Sequence, residues 1–490
     1  MNRYKPYEPH QNQLMPICCD DLFPCGSFER FLVDIIEKID FDISDEEQDT
    51  GGETPYHPKA LLGIIFYGYA NGVFSSRKME RECRKDIGFM YVSGYNAPDH
   101  TTISRFISSQ ENRIEEIFTR ILFLADESGY VDYKLIATDG SKIKADASSN
   151  FSGTMKMFIE REMKLLDKIK LAIKKQKATD KKVEKEYWEK KKKKYESNRA
   201  KIAAFLKATE EIMNYEGKEV QQNITAPDCR RMKAGMSIEE SYNNQISVCG
   251  KRGIIIAADV SSNEIDVNLF TEMADKIKEN VPARSAQKLI STHYLYDHGY
   301  YKIDNIVEAD KRKMDVFIAD RKDKCIYKKE DVPHEKIGID LCQIKRCGDF
   351  FAVICPGGIK MTNCQEVQIK GKTYYSFAVK AEFAEQCLAC RIYKKCRGEN
   401  KYNKLKRFSI AKIALDNWEL MDKYKKKMRT DRARRIYSNR ISIVEKVFGH
   451  IKRNNGFRSF LRRGIEKVKN EWLIACCSYN IQKMYRIESR

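Results

Sequence analysis

The chain has 490 residues, of which 42% are hydrophobic and 33% charged, and its formal net charge is +20. A chain of this length can bury a sizeable core and is long enough for two or three domains. The excess of lysine and arginine predicts a polyanionic partner, and nucleic acid is the commonest one. A lysine-rich surface that is merely solvated is the alternative explanation of the charge.

The composition excludes a membrane protein and a secreted disulfide scaffold. Residues Met1 to Gln13 are polar and lack the apolar core of a signal peptide. The apolar run from Ala60 to Ala70 is too short to cross a bilayer. We therefore expect a cytoplasmic protein without membrane contact, whose 16 cysteines are reduced thiols.

The first 130 residues predict an all-helical domain. An apolar helix is expected from Lys59 to Tyr69, a charged amphipathic helix after Ser75, and a further helix after Pro98-Asp99-His100. Short capped helices with exposed basic side chains are typical of a DNA-binding or subunit-pairing domain. A plain helical bundle would show the same pattern.

The segment around Asp139 predicts a strand and a hairpin. An apolar run leads into Asp139, Gly140-Ser141 follows, and residues 142–145 alternate between lysine and apolar side chains. We expect the strand to end at Asp139 and a second strand to return beside it after a tight turn. An acidic side chain would then stand at the end of a core strand.

A long charged segment, about residues 151–220, predicts an inserted helical hairpin. It contains few glycines or prolines, and residues 190–194 are five consecutive lysines. Apolar side chains recur at nearly helical spacing, which is typical of two helices packed like a coiled coil. The hairpin is either a solvated arm or a surface that contacts DNA directly.

The remaining pattern predicts an α/β domain. Strands are expected at 241–248, 253–260, 288–296 and 315–319, with a helix at 269–280, a cysteine-rich insert at about 325–400 and basic helices from about 405. Hairpin-like strand pairs come before the crossovers, so a mixed sheet is favoured over a TIM barrel. The predicted domains are therefore a helical domain, 1–130, and an α/β domain, 131–490.

Three acidic residues in this α/β domain predict metal-dependent chemistry. Asp139 and Asp297 each follow an apolar strand, and Glu445 lies in a late helical pattern. Phosphodiester cleavage needs hard cations that activate a hydroxyl group and stabilise the leaving oxygen, and Mg²⁺ prefers carboxylate ligands. Lys452 lies seven residues after Glu445, on the same predicted helix face, where it would hold a phosphate. Each residue alone is equally explained as a turn, cap or surface residue.

The cysteine-rich insert contains the pattern Cys387-x2-Cys390-x5-Cys396, with either Cys355 or Cys364 upstream. Four thiolates would form a structural zinc site that braces an insert with a small core. Thiols that bind no metal are the alternative.

Several blocks of the sequence, in order, resemble those of the bacterial insertion-sequence DDE transposases with an InsH-like N-terminal domain. The blocks are Tyr56-His57-Pro58, Ser75-Ser76-Arg77-Lys78, Pro98-Asp99-His100-Thr101-Thr102-Ile103-Ser104-Arg105-Phe106, Thr138-Asp139-Gly140-Ser141-Lys142-Ile143-Lys144-Ala145, Pro227-Asp228-Cys229-Arg230, Tyr242-Asn243-Asn244-Gln245, Tyr296-Asp297-His298-Gly299-Tyr300 and Val444-Glu445-Lys446-Val447-Phe448-Gly449-His450-Ile451-Lys452. They span most of the chain, leaving out the two inserts. His298 stands where this family usually has alanine.

The resemblance implies a ribonuclease H-like catalytic core and a role for each motif residue. Asp139, Asp297 and Glu445 would be the catalytic triad that holds two Mg²⁺ ions, for which Mn²⁺ can substitute. The DNA-contacting residues would be Tyr437, Arg440 and Lys452, from the helix motif Tyr-x2-Arg-x3-Glu-x6-Lys. This chain departs from that motif, because four residues separate Arg440 from Glu445.

The implied function is transposition of an insertion sequence. Such a protein binds terminal inverted repeats of double-stranded DNA, cleaves a phosphodiester at the element end and joins the freed 3′-hydroxyl to target DNA. It works as a homodimer or larger assembly on DNA, at the nucleoid in a bacterial cytoplasm.

Three other functions remain open at this point. A metal-dependent nuclease would cleave without strand transfer, and a catalytically silent descendant of a transposase would bind specific DNA without cleaving it. A basic structural protein of the nucleoid would bind DNA with neither sequence preference nor metal dependence, and the acidic motifs argue against it.

Overall fold

The structure, a computed structural model, describes residues 22–39, 56–109, 113–213, 217, 219–234, 237–320, 339–347, 350–362, 364–369, 371–397 and 405–489. Its helices are α1 (Phe28–Glu37), α2 (Pro58–Ala70), α3 (Ser76–Glu82), α4 (Ile87–Val92), α5 (His100–Ser109), α6 (Arg113–Glu127), α7 (Met155–Ala178), α8 (Lys182–Ala208), α9 (Phe270–Asn280), α10 (Ala283–Ala286), α11 (Ile303–Lys311), α12 (Ala384–Leu388), α13 (Tyr393–Arg397), α14 (Lys412–Asp416), α15 (Trp418–Met428), α16 (Asp431–Gly449) and α17 (Ile465–Glu488). Its strands are β1 (Leu135–Lys144), β2 (Ser152–Gly153), β3 (Gln222–Asn223), β4 (Arg230–Ala234), β5 (Ser237–Cys249), β6 (Ile255–Ser261), β7 (His293–Tyr296), β8 (Asp315–Ile318), β9 (Gln343–Cys347), β10 (Phe350–Ile354), β11 (Lys360–Met361), β12 (Cys364–Ile369), β13 (Lys372–Ala378) and β14 (Arg407–Ala411).

The chain forms two compact units. The first comprises residues 1–266, 272–289 and 443–490, and the second comprises 267–271 and 290–442. The N-terminal helices and strand β1 therefore belong to one compact unit. The predicted boundary near residue 130, which divides the chain by sequence pattern, stays a prediction.

The N-terminal helices begin where the sequence predicts. Helix α2 starts at Pro58, α3 follows Ser75 and α5 starts at His100. The carboxylate of Asp99 accepts a hydrogen bond from the backbone N–H of Thr102 at 2.7 Å, so Asp99 caps α5. Ser75 occupies the cap position of α3 without making a side-chain cap bond. The all-helical character of the described N-terminal region is confirmed.

Strand β5 is the middle strand of the sheet in the first unit. Strand β1 pairs with it antiparallel along one edge, from Ile136 opposite Cys249 to Lys144 opposite Ser241. The other edge is shared by β4, which pairs with residues 237–241, and β6, which pairs with residues 243–248. All of β5 from residue 240 onwards is buried, so this sheet is covered on both faces.

The predicted hairpin at Asp139 is wrong. Residues Leu135–Lys144 form one continuous strand, and Asp139 lies in its middle, opposite Ile246 of β5. Gly140 does not make a turn. A Cβ atom at Gly140 would lie 2.7 Å from Asp266 Oδ1 and 2.8 Å from Asn243 Oδ1, so glycine lets these polar side chains approach the strand closely.

The C-terminal helix α17 forms the core of the first unit, where it packs against α2, α6 and β6. Its side chains also bond to the sheet backbone. Trp472 donates to the carbonyl of Gln245 at 3.2 Å, and Asn480 bonds to both the N–H and the carbonyl of Ile255 at 2.9 Å. Because these polar groups are satisfied, a helix that is buried on most sides is stable there.

The second unit combines a parallel strand pair with two antiparallel sheets. Strands β7 and β8 pair in parallel. Tyr424 of α15 fixes the end of β8, because its hydroxyl bonds to the N–H and the carbonyl of Ile318 at 2.7 and 2.9 Å. The sheets β9–β10–β11 and β12–β13–β14 enclose a small core that includes Val353, Met361 and Phe377.

The predicted α/β class is confirmed, with antiparallel strands in both units and a parallel pair, β7 and β8, in the second. The helical hairpin predicted at about 151–220 is present as α7 and α8, which pack along each other. Among the described helices, none is long and apolar enough to cross a membrane. The ribonuclease H-like assignment stays a prediction.

Glu471 links α17 to the loop that precedes it. Its carboxylate accepts hydrogen bonds from the backbone N–H groups of Leu461 and Arg462, each at 3.1 Å, and from the hydroxyl of Tyr69 at 3.4 Å. Burial raises the pKa of Glu471 to about 7. The folded protein therefore favours the protonated carboxyl group more than the unfolded chain does.

We expect the wild-type protein to lose stability relative to a Glu471→Gln variant as the pH rises from about 4.5 to about 7. The stabilisation from protonated Glu471 is fully present below the unfolded pKa of 4.5 and is lost above the folded pKa. The total change is on the order of 3 kcal/mol. Urea unfolding of both proteins between pH 4.5 and 8 measures it, and parallel pH profiles would contradict it.

Candidate active site

Lys452 binds the strand that carries Asp139. Side chains alternate along β1, so Asp139 and Ser141 share one face of the strand. The ammonium group of Lys452 donates to Ser141 Oγ and to the carbonyl of Lys142, the latter at 2.8 Å. Segments from the predicted first-Asp motif and Glu motif therefore meet within the first unit.

The sequence predicted that Lys452 lies on a regular α-helix, and this prediction is wrong. Helix α16 ends at Gly449, and His450–Asn454 form one turn of π-helix. His450 fixes this turn: its Nε2 lies 3.1 Å from Gln482 Oε1, and its Nδ1 lies 3.3 Å from Nη1 of Arg486. Single π-turns in α-helices occur frequently at functional sites.

The environment of Lys452 suits an anionic ligand. Burial, with a smaller contribution from the neighbouring ammonium of Lys142, lowers the pKa of Lys452 to about 8. A phosphate placed beside Lys452 would stabilise the charged form of its ammonium group. The side chains therefore provide a partly desolvated cationic position next to β1.

Asp266, which the sequence analysis did not select, supports β1 from the other strand face. Its Oδ1 accepts hydrogen bonds from Asn243 Nδ2 at 2.6 Å, Gln245 Nε2 at 2.9 Å and Lys142 Nζ at 3.4 Å. The side chains of Asp266, Asn243 and Gln245 pack around Gly140. The network explains two residues of the block Tyr242–Gln245, because Asn243 and Gln245 hold Asp266. No sequence signal pointed to Asp266 itself, since it is a single acidic residue after β6.

Asp297 lies in the second unit, directly after β7 as predicted. Its carboxylate forms an ion pair with Arg440 at 2.9 Å, and the two side chains are only 19% and 11% exposed. His298 Nδ1 lies 2.9 Å from the same carboxylate. The N–H of Gly299 also donates to it, at 3.3 Å. Two of the predicted site residues, Asp297 and Arg440, are thus brought together despite the altered motif spacing.

The third acid, Glu445, is exposed on helix α16. The division between the units falls inside this helix: Tyr437 and Arg440 belong to the second unit, while Glu445 belongs to the first, with Asp139. In the described part of the chain, no three or more His, Cys, Asp or Glu side chains are arranged to hold a metal ion. Assembly of Asp139, Asp297 and Glu445 around metal ions therefore stays a prediction.

The predicted zinc ligands line one small cavity of the second unit. Cys387, Cys390 and Cys396 all contribute to its wall, together with Cys355. A Cβ atom at Gly357 would lie 2.9 Å from Cys390 Sγ and 3.6 Å from Cys355 Sγ, so these two sulfur atoms approach the same point. The structure thus favours Cys355 as the upstream residue of the cluster; the side chain of Cys364 lies outside the described residues.

Two regions of the chain match known protein families. Residues 354–485 match the transposase DDE domain, and residues 17–109 match the transposase domain DUF772. The first match includes Arg440, Glu445, Lys452 and the cysteine cluster, but not Asp139 or Asp297. No curated protein matches the chain. The resemblance to insertion-sequence DDE transposases is confirmed, and a transposase function is supported.

We expect Gly140→Ala to destabilise the first unit by about 1–3 kcal/mol, because the new methyl group would collide with Asp266, Asn243 and Gln245. Urea unfolding measures this change. Gly449→Ala is the matched control, since α16 leaves open space at that position and alanine favours a helix. Equal stabilities of the two variants would show that close packing at Gly140 is unimportant.

Proposed function

We propose that this protein is a DDE transposase that acts on the ends of an insertion sequence. It binds the terminal inverted repeats, cleaves a phosphodiester at the element end and joins the freed 3′-hydroxyl to target DNA. The observation that carries this proposal is the contact of Lys452 with β1, which joins two motifs that lie 311 positions apart. The net charge of +20 supports DNA as the partner.

Asp139, Asp297 and Glu445 would hold two Mg²⁺ ions, for which Mn²⁺ can substitute. Their donor atoms are all carboxylate oxygens, which fits hard cations. When bound, such ions activate a hydroxyl nucleophile and stabilise the leaving oxygen. The arrangement of the three carboxylates around the ions is part of the proposal.

The cations beside the acids would position the DNA backbone. Lys452 offers an ammonium group next to the Asp139 strand, where a phosphate would replace the water that burial has removed. Arg440, paired with Asp297, presents a guanidinium that suits bidentate contact with phosphate. Tyr437 precedes Arg440 by one helical turn and would contact the same strand of DNA.

We further propose that Cys355, Cys387, Cys390 and Cys396 bind a structural Zn²⁺ ion. Four cysteines line one cavity, and four thiolates are a ligand set that structural zinc prefers. Binding requires the four sulfur atoms to draw together from their positions around the cavity. Zinc would brace the short helices α12 and α13 against the hairpin that carries Cys355.

The protein would act in the bacterial cytoplasm on nucleoid DNA. Because two element ends must be joined in one reaction, a homodimer or larger assembly on DNA is expected. A nuclease without strand transfer, and a DNA-binding protein that has lost catalysis, are the two alternatives that the experiments below separate.

Asp139→Asn should abolish metal-dependent cleavage at the element ends, by more than about 100-fold, because the amide is a poor metal ligand. Binding to the same ends should stay unchanged. The assay uses DNA with the sequences that flank the gene, with Mg²⁺ or Mn²⁺. Asp146→Asn is the matched control: this nearby carboxylate is half exposed and pairs with Arg463.

The products of this assay decide between the three functions. Cleavage followed by joining to target DNA establishes the transposase, and cleavage without joining leaves a nuclease. End binding without cleavage by the wild type, with either metal, would favour the non-catalytic protein. Full activity of Asp139→Asn would remove Asp139 from the metal site.

The double substitution Cys387→Ser with Cys390→Ser should release zinc from the purified protein, which otherwise holds about one ion per chain. Elemental analysis after dialysis measures the content. Cys25→Ser with Cys347→Ser removes two cysteines outside the cavity and should keep the zinc. A wild-type protein without zinc, when expressed in zinc-supplemented medium, would refute the site.

A further inference from the structure

Helices α7 and α8, which we call the arm, concentrate the positive charge of the chain. Residues 155–208 contain 19 lysines and arginines against 8 acidic residues, a net charge of +11 out of +20 for the whole protein. The catalytic proposal assigns no role to this charge. The arm therefore needs its own physical explanation.

The base of the arm is packed and is hydrogen-bonded to the first unit, where Ser152 Oγ donates to Glu240 of β5 at 2.5 Å. Phe158 of α7 packs with Ile202 and Phe205 of α8 in a buried cluster. Arg161 donates to the carbonyl of Ser152 in β2 at 2.7 Å. Strand β2, which precedes the two helices in the sequence, pairs with β3, which follows them. The position of the arm is thus fixed by the same unit that carries Asp139.

Some lysines of the arm are used within the hairpin itself. Lys175 lies over the ring of Trp188 at 4.8 Å, Lys168 over Tyr195 at 5.9 Å, and Lys191 over Tyr187 at 4.7 Å. These cation–π contacts join α7 to α8 or stabilise α8. We call Lys168, Lys175 and Lys191 the seam lysines.

Three lysines form a stripe on an exposed face of α8, which we call the outer face; one of them, Lys201, also lies 6.0 Å from the ring of Phe151 at the base of the arm. Lys190, Lys194 and Lys201 alternate with the small residues Ser197 and Ala204, and all five are exposed. Steps of four and three residues keep them on one helix face, and the lysines span about 16 Å along the axis. Because Ser197 and Ala204 are small, this face can approach a broad charged surface closely.

We propose that the outer lysine stripe, Lys190, Lys194 and Lys201, binds the phosphate backbone of duplex DNA outside the catalytic centre, without sequence preference. The proposal rests on the proposed transposase function for the identity of the partner. Charge complementarity supports DNA, because the stripe offers exposed point charges in a row to a polyanion of regular spacing. Contact along the arm would hold the DNA beside the unit that carries Asp139.

The test compares two triple variants of the full-length protein that lose the same charge. One replaces Lys190, Lys194 and Lys201 by glutamine, and the other replaces the three seam lysines by glutamine. Binding of a random-sequence duplex is measured by fluorescence anisotropy between 50 and about 300 mM salt, without metal ions. Circular dichroism confirms that each variant keeps its helices.

We expect the outer variant to reduce the slope of log affinity against log salt by about 2 to 3, since each lost phosphate contact contributes about 0.9. The seam variant should keep the wild-type slope. Replacement of the outer lysines by arginine should restore it, because arginine keeps the charge. Equal losses in both glutamine variants would instead assign the effect to net charge and overturn the proposal.

Two further outcomes are informative. Competition by polyglutamate as strong as that by DNA would overturn duplex DNA as the partner and indicate an acidic protein. If the outer variant has a reduced salt slope but the wild-type protein never cleaves element ends, the lysine stripe is retained as a DNA-binding surface and the transposase function is rejected. If the outer variant cleaves element ends and binds DNA with the wild-type salt dependence, the outer lysine stripe is rejected as a DNA-binding surface and the transposase function is retained.

Discussion

The first unit depends on the burial of helix α17 between the sheet and the N-terminal helices. Fourteen residues of α17 are buried. Burial on this scale is stabilising only because the polar members find partners: Trp472 reaches the carbonyl of Gln245, 227 positions away, and Asn480 holds the backbone of β6. The strand that carries Asp139 pairs with β5, so its support comes from the far end of the chain. The first unit therefore needs helix α17 to cover its sheet.

The charged groups of the candidate site are mostly held in pairs before any DNA or metal arrives. Asp266 is paired with Lys142 and two amides, and Asp297 with Arg440 and His298. Lys452 differs, because it donates to neutral oxygen atoms of β1 and burial lowers its pKa. Among these groups, Lys452 would therefore interact most favourably with an incoming phosphate, because its ammonium group donates to neutral oxygen atoms and not to a carboxylate.

Sequence patterns predicted those features that local interactions determine. The cap of α5 by Asp99, the helical hairpin and the position of Asp297 after β7 all depend on neighbours within a few residues or on simple periodicity. The predicted hairpin at Gly140-Ser141 failed because glycine there serves close packing against Asp266, a residue of another segment. The π-turn around Lys452 likewise depends on distant partners of His450, namely Gln482 and Arg486. Such long-range constraints leave no periodic signal in one sequence.

The positive charge that would attract DNA and the acidic residues that would cleave it lie in different parts of the chain. The arm carries +11, and the rest of the chain carries the remaining +9. Cations near the acidic residues, such as Arg440, are largely buried and already paired, so they release few counterions when DNA binds. The outer lysines of the arm are exposed, so a phosphate that binds them would release more counterions. The proposed arm surface would therefore contribute most to the salt dependence of binding and the proposed carboxylate site to cleavage, so that each can be altered without the other.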